Sequence, residues 1–287
     1  MPRVQVVTDS TADIPADVAA ELGIIVVPCL VHLGAETYRD GVDLSRQAFY
    51  ASLVAAPPFP QTAPPPLGAF VEAYRQAAAH AEQVVAIHLA AKWSALYNVA
   101  QLAREMLPEL LITLIDSQQV SFCVGMLAVA AARAAQEGKD AQAVAALVND
   151  MLPRLRLWAV LRDLRYLHRS GRVGWVASFL GTVLQVNPVI LVHQARVEPA
   201  ARVRTRTRAL AHMITLLESY GPPESLAVIH VNAREEAEQT ACQLSERFAI
   251  PTPPLVEAGL ILSAHAGPGA VGVACLSGRS QRRAIPA

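Results

Sequence analysis

VVAIHLAAKWSALYNVAQLAREMLPELLITLID, residues 84–116, is the stretch that decides the fold class. Residues 84–89 form a short apolar, β-branched run, residues 94–106 carry helical periodicity, and residues 111–115 are a second such run. Strand, helix, strand at this spacing predicts right-handed crossovers and a mostly parallel sheet with helices on its faces. On the N-terminal side, residues 4–8 read as another buried strand. Asp13, Pro15 and Gly23 then supply the cap, first-turn proline and stop of a short helix. Residues 24–33 form the next extended run, in which Pro28 requires an edge or a bulge. Helices at about 44–55 and 67–79 flank a proline-rich loop, residues 57–66, and a long helical stretch from 120 to 155 is broken at Gly138.

A domain boundary falls near Pro153, where the character of the chain changes. Downstream, helices are expected at 163–169, 176–186, 205–220 and 233–248. Extended runs lie at 189–193, 196–200, 226–231 and 271–276, the first two forming a hairpin around Gln194-Ala195. The expected architecture is therefore α/β, with a mostly parallel N-terminal sheet and flanking helices over residues 1–153. A second, α+β domain with a mixed or antiparallel sheet follows over 154–276, and residues 277–287 read as a frayed polar tail.

Composition narrows the function classes. Of 287 residues, 53% are hydrophobic and 17% charged, enough apolar material to exclude a disordered chain. Twenty-four basic residues balance 24 acidic ones, which argues against a dedicated nucleic-acid or anionic-membrane binder. No run approaches the ~18–20 uninterrupted apolar residues that span a bilayer. The opening MPRVQVV lacks a secretory pattern, so the expected location is cytoplasmic. Cys29, Cys123, Cys242 and Cys275 stand far apart in apolar surroundings and read as buried reduced thiols. The eight histidines show no metal-ligand spacing, and neither a metal site nor a cofactor is expected.

In a parallel sheet, ligands bind beyond the carboxyl ends of the strands. That directs attention to Asp9 after the first strand, Ser94 after the third, and Asp116 after the fourth. Each has an ordinary reading as a helix cap and a functional one as a turn residue facing a ligand. Thr62 sits in the proline-rich loop, either as part of a stiff connector or as a hydroxyl held toward a crevice. His265-Ala266-Gly267-Pro268-Gly269 formally begins a GxGxxG pattern, but it is followed by an extended run, so tight turning beside His265 is the better reading. Ser94 and His265 could also serve a hydrolase, although no GxSxG elbow is present. Arg162, Arg165, Arg169 and Arg172 share one stripe if their helix persists, and Arg202, Arg204, Arg206 and Arg208 share one face if that stretch is extended. Such rows are ordinarily solvated surface; the functional readings are an acidic partner or an anionic headgroup.

Seven of these segments, TDSTADIP, the loop around Thr62, KWSALY, DSQQVS, LRYLHRSGRV, VRTRTRAL and HAGPGAVGV, occur in an order that resembles the DegV family from about residue 4 to residue 276. These are bacterial fatty-acid-binding proteins that include the FakB subunit of fatty acid kinase. The resemblance implies two α/β domains, an acyl chain threaded into the first, and a carboxylate held by residues matching Thr62, Ser94 and His265, with Ala95 beside Ser94. It also implies that Arg172 lies near the entrance and matters for working with a partner kinase subunit that makes an acyl phosphate. Arg169 and Arg204, from the two arginine rows, are expected to join it in the partner interaction. Ala90 and Ala91 replace the family's serines before the LSGTY-like motif, Ala95 and Leu96 replace that motif's glycine and threonine, Ser170 replaces one glycine of the GGRI pattern, and Asn187 replaces a lysine. A Ser/His-dependent esterase is the rival enzyme reading, and a transcription-linked interaction protein using the arginine rows is the third.

Overall fold

The computed structural model describes residues 3–54, 59–176 and 187–279. They form two compact units: the residues up to Pro153 together with Gly259–Ala264, and Arg154–Ala258 together with the residues from His265 onward.

The first unit is built on a four-stranded parallel sheet. Its strands are β1 (Val4–Asp9), β2 (Ile25–Val27), β6 (Gln83–His88) and β7 (Leu111–Asp116), in the order β2-β1-β6-β7. The register sets Val7 against Ile25, Val6 against Val85, and Val85 against Thr113. Successive residues of β1 and β6 are buried, so both faces of these central strands are covered. The helices are α1 (Ala16–Glu21), α2 (Arg46–Val54), α3 (Leu67–His80), α4 (Leu96–Glu105), α5 (Phe122–Gln136) and α6 (Ala141–Met151). Much of α5 is alanine, which lets its buried face pack closely on β1, β6 and α6. A separate antiparallel sheet, ordered β4-β3-β5, joins β3 (Leu30–Leu33), β4 (Glu36–Arg39) and β5 (Gln61–Ala63).

Two local expectations change in this unit. Residues 24–33 are not one run: the chain turns at Pro28-Cys29, and β2 and β3 belong to different sheets. Pro28 has no N–H to give a ladder, while the Cys29 amide donates to Ser10 Oγ at 3.0 Å and its carbonyl accepts from Asp40 N at 2.8 Å. The proline-rich loop also contains a strand. β5 lies at the edge of its sheet, where flanking prolines cost little pairing.

The second unit carries a six-stranded mixed sheet. Its strands are β8 (Leu155–Val160), β9 (Asn187–His193), β10 (Arg196–Val203), β11 (Pro223–His230), β12 (Leu255–Glu257) and β13 (Val271–Ser277). In the order β10-β9-β8-β13-β11-β12, every neighbouring pair is antiparallel except β11 and β12. The helices are α7 (Leu164–Arg169), α8 (Arg206–Glu218) and α9 (Arg234–Phe248). Its core is built from Trp158, Val189 and Leu191 on the strands of one half, Val228 and Val273 on those of the other, and Met213, Leu217 and Leu244 from the helices. A final helix, α10 (Leu260–Ala266), begins within the segment that packs with the first unit.

The hairpin around Gln194-Ala195 is present, with φ of 47° and 53° at the two turn residues, the left-handed pair that a two-residue hairpin uses. The expected end of the long helical stretch at residue 155 is corrected, because Leu155–Val160 is strand β8, between β9 and β13. Ser277 belongs to β13, paired with Pro223, rather than to a frayed tail. Residues 177–186 of the helix expected at 176–186, and the tail beyond 279, lie outside the described residues. Three of the four cysteines are buried; Cys242, on α9, is exposed.

Candidate functional site

The carboxyl ends of β1, β6 and β7 present Asp9, His88 and Asp116. Asp9 is completely buried and anchors the turns around it. Its Oδ1 accepts from Thr11 N at 3.1 Å and from the Thr11 hydroxyl; its Oδ2 accepts from Leu89 N at 3.1 Å and His88 Nδ1 at 3.0 Å. His88 Nε2 faces the Tyr74 hydroxyl at 3.3 Å, and Phe70 meets the imidazole edge-on. Asp116 Oδ1 accepts from Ala91 N at 3.2 Å and Gln118 N at 2.9 Å, tying the loop after β6 to the loop after β7. Both carboxylates therefore hold the loop that leads into α4.

That loop positions Ser94. Its Oγ accepts from Leu96 N at 3.2 Å as α4 begins, a bond that uses a lone pair and leaves the O–H as a donor. Ser94 is half-buried and Ala95, beside it, is exposed. Thr62 is half-buried on β5, opposite Val31. Thr62, Ser94 and Ala95 lie on two separate elements of the first unit, and His265 lies in the second unit, in the last turn of α10.

His265 and Arg172 come together in the second unit. Loss of water around the imidazole, and secondarily the Arg172 guanidinium, push its pKa down to about 4. At neutral pH this favours the neutral imidazole, which carries one ring N–H. Gly267 and Gly269 follow, with φ of 76° and 83°. Arg206 clamps this turn, donating to Gly269 O at 2.5 Å and Val160 O at 3.1 Å while forming an ion pair with Glu236 at 2.9 Å. A helix precedes the glycines and a strand follows, the reverse of a dinucleotide-binding turn.

The arginine rows do not persist. Helix α7 ends at Arg169, so Arg162 and Arg172 lie outside it; Arg162 pairs with Glu236 at 3.3 Å and Arg165 with Asp163 at 2.6 Å. Arg169 lies 5.9 Å from the Tyr166 ring centroid, and Arg172 donates to Ser170 O at 2.5 Å. β10 stops at Val203 and α8 starts at Arg206, which breaks the second row. Arg169, Arg172 and Arg204 are all exposed. Asn187 Nδ2 donates to the Arg204 carbonyl at 3.1 Å.

Sequence reasoning missed Asp40 and the true place of Asp13. Asp13 is not the cap of α1, which Pro15 precedes; it ends the 3-10 turn Ser10–Ala12 with φ 50° and is buried. Among the described residues, no group of three or more His, Cys, Asp or Glu could hold a metal ion, and no helix is long and apolar enough to cross a membrane.

Comparison with known proteins places this architecture. The family model described as uncharacterised protein, DegV family, matches residues 3–278. The chain belongs to the DegV family. A DegV domain-containing protein of Caldanaerobacter subterraneus is 31% identical over 95% of this chain and 98% of its own length, and protein DegV of Bacillus subtilis is 30% identical over 94% and 98%. Among solved structures, a DegV family protein from Thermus thermophilus, described in terms of fatty acid binding, superposes with a TM-score of 0.89 at 28% identity, covering 96% of this chain and 99% of that one. DegV of Bacillus subtilis, described as a fatty acid binding protein, gives 0.85 at 29% identity, covering 96% and 100%.

Proposed function

We propose that this chain is a carrier that binds a long-chain fatty acid and presents its carboxylate to a partner, an ATP-dependent fatty acid kinase subunit, in the cytoplasm. The observation that carries the first part is the whole-chain likeness to two fatty-acid-binding DegV proteins, from Thermus thermophilus and Bacillus subtilis. Affinity comes from the acyl chain, at about 0.8 kcal/mol per buried CH2 before ordering costs. The carboxylate must meet donors, since burying it unpaired costs several kcal/mol. In this reading Thr62 and Ser94 give hydroxyl donors, neutral His265 gives a ring N–H, and Ala95 forms the wall beside Ser94. Exposed Arg169, Arg172 and Arg204 form the face for the kinase subunit. A Ser/His hydrolase draws no support from these relatives, which are described in terms of fatty acid binding.

Mass spectrometry of a denatured extract of the purified protein shows a copurified fatty acid. A lipid-free preparation that also refuses labelled acid overturns the reading. Ser94→Ala and His265→Ala each weaken acid binding about tenfold or more in equilibrium titration, as expected for losing a hydrogen bond to a charged group. Both variants keep the wild-type circular dichroism spectrum. Unchanged affinity in both removes the site assignment while leaving the carrier reading intact.

A further inference from the structure

Asp13 and Asp40 meet at a backbone segment that begins 219 positions after Asp40 and packs with the first unit. Asp13 Oδ1 accepts from Gly259 N at 2.8 Å and its Oδ2 accepts from the Ser121 hydroxyl at 2.5 Å. Asp40 Oδ1 accepts from Leu260 N at 2.9 Å. A Cβ on Gly259 would sit 3.0 Å from Asp13 Oδ1 and 3.1 and 3.3 Å from the two Asp40 oxygens, so both carboxylates crowd the same point. Both residues are buried, at 5% and 4% exposure. Two like charges in such a place are strongly disfavoured together, which favours keeping one of the two carboxyls protonated.

The surroundings set the balance. Desolvation dominates and raises Asp13 to about 7, against hydrogen bonds from Ser121 and Gly259, with Asp40 raising it further and Arg46 lowering it. Asp40 is raised by the same cause, opposed by the amides of Leu260 and Ile261, the Ser10 hydroxyl and Arg46. The Cys29 thiol, also influenced by Asp40, is itself pushed up by burial and stays protonated.

We propose that Asp13 and Asp40 form a proton-dependent latch on Gly259–Ala264, tight while the pair carries one proton and loosened when it carries none. The latch is independent of which ligand the chain carries. In the opened segment the carboxyls regain water and ordinary acidity, so the closed form binds the proton more tightly. Rising pH therefore favours opening from the ordinary carboxylate range up to neutrality, and has no further effect through this pair above it.

Hydrogen exchange of the full chain tests the latch, with amide rates divided by their intrinsic rates at each pH. Protection of the Gly259–Ala264 amides falls about tenfold per pH unit between about pH 5 and 7, then levels off. Asp13→Asn keeps the shape and removes the carboxyl that titrates near neutrality, and its protection falls less steeply across the same range. Carboxyl carbon NMR of the wild type gives a reading that needs no variant: one of the two carboxyls titrates near neutrality. pH-independent protection in the wild type, an unaltered slope in Asp13→Asn, or two carboxyls titrating below about pH 5 overturns the proposal.

Discussion

Asp9→Ala destabilises the first unit by about 3–5 kcal/mol, more than any other single carboxylate removal in that sheet. The side chain has no exposure and accepts from Thr11 N, the Thr11 hydroxyl, Leu89 N and His88 Nδ1. Truncation leaves these donors buried without an acceptor, and each orphaned group costs about 1–3 kcal/mol. Water entering the gap recovers part of that sum, which is why the expected loss lies below the simple total. Hydrogen exchange read by mass spectrometry checks it with local resolution. Peptides covering β1 and β6 lose protection in Asp9→Ala, whereas those covering β8 and β13 keep theirs. A loss below about 1 kcal/mol means that Asp9 is not the anchor of these turns and reopens the reading of it as a ligand-facing group.

The elements legible in the sequence were those whose local pattern and burial agree. Residues 84–116 alternate apolar strand and amphipathic helix, and β6, α4 and β7 lie within two residues of the positions expected for them. Strand β8 was hidden because it is central: five of its six residues are buried, so no two-residue alternation marks it. Arg156 deepens the disguise. An arginine in mid-run suggests a solvated helix face, yet its guanidinium stacks 4.5 Å from the Tyr220 ring centroid inside the second unit. Strand β5 was obscured for the opposite reason, being three residues long between prolines.

Site residues divide along the same line. Ser94, Asp9 and Asp116 could be found because strand ends are where a parallel sheet exposes chemistry. Their caps and turns were also foreseeable as the ordinary alternative, and the hydrogen bonds of Asp9 and Asp116 are of that ordinary kind. The Asp13–Asp40 pair had no local signal at all. Its meaning depends on Gly259 and Leu260, more than two hundred positions away from either aspartate, and only tertiary structure supplies that neighbour.

Gly267→Ala tests whether the turn after His265 is shaped by sterics or merely by flexibility. The added Cβ would lie 2.3 Å from Tyr166 Cδ2 and 2.7 Å from Cγ, at a residue whose φ is 76°. Those atoms sit near the stem of the ring, so relief requires rotating Tyr166 at χ1 or shifting α7, not bending a flexible tip. Overpacking of this kind costs about 1–3 kcal/mol, and the left-handed backbone adds about 1 kcal/mol for a residue with a Cβ. The expected loss for the second unit is therefore about 2–4 kcal/mol by urea denaturation. Gly171→Ala is the control: φ is 67° there too, but no heavy atom lies within 4 Å of the new Cβ, so it shows only the backbone part, about 1 kcal/mol. A double-mutant cycle separates the two parts directly. If the ring is the obstacle, Tyr166→Ala combined with Gly267→Ala costs less than the sum of the single losses by about 1–2 kcal/mol. Strict additivity, or equal losses at Gly267 and Gly171, would mean that the ring does not constrain the turn that follows His265.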